Sequence, residues 1–184
     1  GATLSLPNLT SFIGSGSLIQ ASGAGSKVDL RSLTVTASGF GPDFKALSGG
    51  AIDLRSLVSS SVTGDEFVAD GAGSSIDLSS FSSHTGGSTF EWKNGGAMTT
   101  PNLATLRGTI KVNNAVASLP SLANIDGSDI TLSGGSALSL PNVTSSMHNL
   151  GVSQFQVSGL GSTLSLNNLT SLSAGAAGSV AFSA

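Results

Sequence analysis

Apolar and polar residues alternate in short bursts along the chain, and the bursts repeat. Eight segments align in six columns: LSLPNL (4–9), VDLRSL (28–33), IDLRSL (52–57), IDLSSF (76–81), MTTPNL (98–103), ASLPSL (117–122), LSLPNV (138–143) and LSLNNL (164–169). The first and third columns are apolar around a polar second, the period-two signature of a β-strand with one buried face. The sixth column is apolar again, which breaks the period and predicts a corner that keeps both side chains inside. The fifth column holds only Asn or Ser, residue types that suit tight turns and bond to nearby backbone. Stacked in register, they predict a ladder of side-chain hydrogen bonds along that corner.

A second apolar–variable–apolar strand precedes each motif: Ile19–Ala21, Phe44–Ala46, Phe67–Ala69, Phe90–Trp92, Ile110–Val112, Ile130–Leu132, Phe155–Val157 and Val180–Phe182. Between the two strands lie Gly pairs such as Gly23/Gly25, Gly49/Gly50 and Gly95/Gly96, replaced once by Asn113–Asn114; these predict a turn with positive φ. A third, less regular segment ends in Phe12, Val35, Leu106, Ile125 and Leu172. The motifs recur every 19 to 26 residues, about 23 on average. A unit this short cannot close its own core, but units stacked about 4.8 Å apart can. The expected fold is all-β: a single-stranded parallel β-helix of about eight coils, right-handed as parallel crossovers are. Residues 1–184 form one repeat domain, expected to be a segment of a longer extracellular protein.

Composition sharpens this picture. Of 184 residues, 36 are Ser and 25 Gly, while only 7 are basic and 10 acidic. A net charge of −3 carries no basic footprint for nucleic acid. The absence of Cys removes disulfide scaffolds, thiol catalysis and Cys-type zinc sites. No apolar run approaches the ~18 residues of a membrane span. From Thr131 to Ala184 there is no Lys, Arg, Asp or Glu. Strand edges are normally guarded by charge, Pro or a cap, so end-to-end self-association is expected.

The stacked Val/Ile/Leu columns, the Asn/Ser corner and the Gly-rich turns together resemble bacterial extracellular parallel β-helix repeat proteins of the pectate-lyase-like and adhesin type. The resemblance covers essentially the whole chain. It implies a secreted or cell-surface location and hosts functions from adhesion to polysaccharide cleavage, so the site must decide.

Asp29, Asp53 and Asp77 share the outward column of three successive coils, with Arg31 and Arg55 two residues on. Such a strip suits either Ca²⁺ and an acidic glycan or an ionic ladder that neutralises itself; no other cofactor is implied. Trp92 is a candidate sugar-stacking platform, although its column otherwise faces inward. Asp126 and Asp129 lack the spacing of an EF-hand and read as a turn. His84 and His148 lie far apart and show no motif for a Ser-His-Asp triad. The expectation is a non-catalytic extracellular module whose polar face binds polysaccharide or cell-surface glycan, or mediates adhesion. The alternatives are a calcium-dependent polysaccharide lyase or hydrolase fragment and a stalk without ligand. Long loops walling a groove would mark the enzyme, and the connections here are short.

Overall fold

The computed structural model of the protein describes residues 1–36 and 40–184. All regular structure in it is strand, and every strand pairing is parallel. The chain is a β-solenoid of about seven turns: eight strands stacked in register leave seven steps between coils.

The first wall carries the repeated motif. Thr3–Ser5, Lys27–Asp29, Ala51–Asp53, Ser75–Asp77 and Ala97–Thr99 form one sheet; Val116–Ser118, Ala137–Ser139 and Thr163–Ser165 form another. Its register aligns Leu4, Val28, Ile52, Ile76 and Met98, then Ala117, Leu138 and Leu164, as the columns predict. Between the two sheets, Thr100 replaces the usual Leu, and its Oγ1 donates to the Ser118 carbonyl at 3.2 Å. The corner that follows is a tight turn, in which the sixth-column N–H donates to the third-column carbonyl, as in Leu33 to Leu30 at 2.9 Å. Pro7, Pro101, Pro120 and Pro141 occupy the first central position of that turn, where a fixed φ near −65° suits type I geometry. The expected ladder exists in a different form. Asn102, Asn142 and Asn168 donate from Nδ2 to the backbone carbonyls of Ser79, Pro120 and Pro141 at 2.6–2.7 Å. The side chains thus tie each coil to the backbone of the one before, not to each other.

The second wall is one long sheet running from Leu18–Ser22 to Ser171–Ser183. Phe44, Phe67 and Phe90 stack within it, with ring centroids 5.2 and 4.7 Å apart. Two readings change here. Phe182, not Val180, stands opposite Phe155, so the last strand is shifted by two residues from the sequence alignment. Gly50 and Gly96 are not the positive-φ residues; Ser48, Gly49, Asn94 and Gly95 are. Gly50 and Gly96 answer a need for space, since a Cβ there would lie 2.3 Å from the Ala21 carbonyl oxygen and 2.1 Å from that of Ala69.

The third wall is short strands in the early coils, Ser11–Phe12, Val35–Thr36 and Ser59–Ser60. Later it runs into the second wall through a bulge, as in Ser83–Lys93 and Ser145–Val157. Val35 points out and is 46 % exposed; Thr36 faces in. The inward file there mixes Thr36, Ser60 and His84 with Leu106 and Ile125, all buried. The apolar columns of all three walls meet in one core, from Ala21 to Phe155.

Candidate functional site

The Asp/Arg strip is assembled as the repeat predicts, but two of its three carboxylates do not face solvent, and the third, Asp77, is partly exposed. Asp29 and Asp53 are each only 3 % exposed. The strands point them outward, and the Arg stems then fold over them. Arg31 Nε donates to Asp29 Oδ1 at 2.9 Å, and its Nη2 reaches Oδ2. Arg55 grips Asp53 through Nε at 2.8 Å and Nη2 at 2.6 Å. Lys27 Nζ stands 3.5 Å from Asp53, and Arg55 Nη2 stands 3.9 Å from Asp77. Asp77 has no Arg of its own; its Oδ1 accepts the Ser79 N–H at 3.0 Å. The fork-on-carboxylate hydrogen bonds from Arg31 hold the Asp29 carboxyl down at about 2. Burial alone would raise Asp53, but the Arg55 hydrogen bonds and the charges of Arg55 and Lys27 outweigh it and leave it below the usual range. The strip is therefore an ionic ladder across three coils, in which each buried carboxylate is matched by a cation. The arrangement leaves no bare carboxylate pair between Asp29 and Asp53 for a cation to bridge.

Trp92 is corrected more sharply. Its side chain is 1 % exposed and packs against Phe90, with centroids 6.5 Å apart, so it offers no face to a sugar.

The Asp126 and Asp129 carboxylates cap backbone of the next coil: Met147 N–H donates to Asp126 Oδ1 at 2.7 Å, and Gln154 N–H donates to Asp129 Oδ1 at 2.8 Å. Among the described residues, no group of three or more His, Asp or Glu is arranged to hold a metal ion.

The fold brings together one constellation the sequence concealed. His84 Nε2 lies 2.7 Å from Ser88 Oγ and 3.1 Å from Asp65 Oδ1. The bulge in Ser83–Lys93 places Ser88 and His84 together, and the preceding coil supplies Asp65. In a hydrolytic triad the Ser hydroxyl gives its proton to one ring nitrogen while the Asp carboxylate holds the N–H of the other. Here both partners share Nε2, while Nδ1 is buried without a hydrogen bond. His84 and Asp65 are at most 1 % exposed. The cluster is a buried polar knot beside Phe81 and Phe90. Its members come from irregular positions of the repeat, so no column reveals them.

The open polar surface lies instead on the outside of the second wall. Register sets Glu91, Lys111, Thr131 and Gln156 in one outward column, and Thr89, Thr109, Asp129 and Gln154 in the next. Strand geometry spaces the columns about 7 Å apart and the coils about 4.8 Å. All eight positions are polar and partly or fully exposed. Thr89, Glu91, Thr109, Lys111, Thr131 and Gln156 make no side-chain hydrogen bond or ion pair among the described residues. The early coils of the same face differ, because Lys45 is held by Asp43 at 3.1 Å and Glu66 at 2.7 Å. Half of the grid sits at the variable middle positions of the second strand and half just before it, so no column of the repeat marks it.

Comparison with protein-family models, with curated proteins and with solved structures finds no match to this chain. No helix of the described residues is long and apolar enough to cross a membrane.

Proposed function

We propose that the chain is a non-catalytic, extracellular β-solenoid module of the bacterial adhesin kind, which binds polysaccharide along the outer face of its second wall. One observation carries this reading: Thr89, Glu91, Thr109, Lys111, Thr131 and Gln156 present hydroxyl, amide, carboxylate and ammonium groups at regular intervals, with their side-chain hydrogen-bonding capacity unspent among the described residues. A sugar chain is a ribbon of hydroxyls that asks for such donors and acceptors. The Asp29–Arg31 and Asp53–Arg55 pairs, by contrast, are satisfied by each other. That self-sufficiency favours a stalk as the second reading, a rigid rod that holds neighbouring segments apart.

A glycan array probed with the 184-residue chain, with and without Ca²⁺, separates the readings. Binding to a polysaccharide should weaken at least about tenfold in a Glu91→Ala/Lys111→Ala variant, a loss typical of removing two charged contacts. It should survive in Arg31→Ala. Loss in Arg31→Ala alone returns the site to the first wall. Absence of binding to any glycan leaves the stalk.

A further inference from the structure

The chain has seven Lys and Arg side chains. Five are held by carboxylates: Lys27 and Arg55 by Asp53, Arg31 by Asp29, Lys45 by Asp43 and Glu66, and Lys93 by Asp70. The other two, Arg107 and Lys111, make no ion pair and no side-chain hydrogen bond among the described residues. Both are exposed, and both stand on the strand Thr105–Asn113. Four residues separate them, no more than about 13 Å along the strand. Uncompensated positive charge is thus confined to one strand of the solenoid, the one that also carries Thr109 of the polar grid.

Arg107 stands where a ligand can reach it. Its side chain lies across Gly127, where a Cβ would be 3.5 Å from Arg107 Nε. Two depressions meet at Gly127. One, of about 370 Å³, is lined by Arg107, Asp126, Met147 and Asn149. The other, of about 330 Å³, contains Thr89 and Thr109, with Gly87 and Gly108 beside them. A Cβ at Gly87 would meet nothing within 4 Å, so that part of the surface is open. The nearby carboxylates are engaged elsewhere. Asp126 accepts the Met147 N–H on Oδ1 at 2.7 Å and Asn124 Nδ2 on Oδ2 at 3.3 Å. Asp129 Oδ1 accepts the Gln154 N–H at 2.8 Å. Glu91 stands beside Lys111 in register and weakens its pull on an anion, which leaves Arg107 as the stronger anchor.

We infer that Arg107 binds an oxyanion on the polysaccharide, a carboxylate, sulfate or phosphate group, so that the outer face of the second wall selects an acidic chain over a neutral one. This rests on the polysaccharide reading above and adds the charge of the ligand. A guanidinium presents a planar fork of N–H donors that matches two oxygens of such a group. Lys111 adds a point charge further along the strand. Thr89 and Thr109 offer their hydroxyls to the sugar on one side of Arg107. On the other side Met147, 45 % exposed, gives an apolar ledge for the C–H face of a ring.

The experiment uses polymers matched in backbone: dextran with its carboxymethyl, sulfate and phosphate derivatives, and hydroxyethylcellulose with carboxymethylcellulose. Each is immobilised and probed with the 184-residue chain. At least one acidic member should bind at least about tenfold more tightly than its neutral parent, and added salt should weaken it. The anion that binds best names the source of the charge. Arg107→Gln should cost at least about tenfold, the loss expected for a charged hydrogen-bonding contact. Lys93→Gln removes the same net charge but a cation already held by Asp70, so it should change binding little. Both positions lie on the surface, and circular dichroism checks that the variants keep their strand content. Neutral parents that bind as tightly as their acidic derivatives overturn this inference and leave the polysaccharide reading standing. Acidic binding that survives Arg107→Gln, or falls equally in Lys93→Gln, also overturns it. Failure to bind any polymer here overturns the inference, and only failure across the glycan array as well removes the polysaccharide reading.

Discussion

The protonation of a single carboxyl reports on the ionic ladder. Asp29 is held at about 2 by Arg31, against 3.8 for an unconstrained aspartate. The unfolded chain therefore takes up a proton at Asp29 before the folded one does. The stabilisation is complete above about pH 4 and is lost as pH falls towards 2. With Arg31 half exposed, solvent screens part of this stabilisation. The urea midpoint should fall on acidification through this window, and Arg31→Ala should remove that part of the fall. His148 adds a separate step. Burial pushes its pKa below the usual 6.5, against the weaker pull of Asp126 and Asp129, so acidification through about pH 6.5 also costs stability. A fluorophosphonate probe should leave Ser88 unlabelled, because Ser88 is buried and His84 faces Ser88 and Asp65 through one nitrogen. Asp65→Ala should still destabilise the fold by about 1–3 kcal/mol, because it strips a partner from a buried imidazole.

Individual strands show what sequence can and cannot reveal. The first wall is legible almost residue by residue, because its inward columns are apolar in nearly every coil and its corner is always Asn or Ser. Leu54 is 0 % exposed and Ser139 lies on the outer face. Leu54→Ala should cost about 2–5 kcal/mol and Ser139→Ala less than about 0.5, read as shifts in a denaturant midpoint. The third wall is legible only in part: Leu106 and Ile125 are core as their apolar character suggests, but the inward file mixes hydroxyl, imidazole and aliphatic side chains, and no periodicity survives that mixture. Val35 looks like core and is not; Thr36 looks like surface and is buried. Turn glycines mislead for another reason. Gly at a positive φ and Gly under a neighbouring carbonyl look alike in sequence, and only the coil below tells Gly49 from Gly50. The strands point the Asp column outward, yet the burial of Asp29 and Asp53 depends on where the Arg31 and Arg55 stems lie, which no column records.

Across the whole molecule, the in-register columns make length an editable property. Val28 stands beside Ile52 and Asp29 beside Asp53, so position 28 can be followed by residue 53 without altering any column. Removing residues 29–52 should give a chain that folds with the same strand content by circular dichroism. It should be shorter by one coil, about 4.8 Å, and less stable by the loss of one coil and its stacking contacts. Small-angle scattering would measure the shortening directly, and a helical or disordered spectrum would contradict it. The rod is in this sense graduated like a ruler, and whatever sits at its two ends is held at a distance written in whole coils.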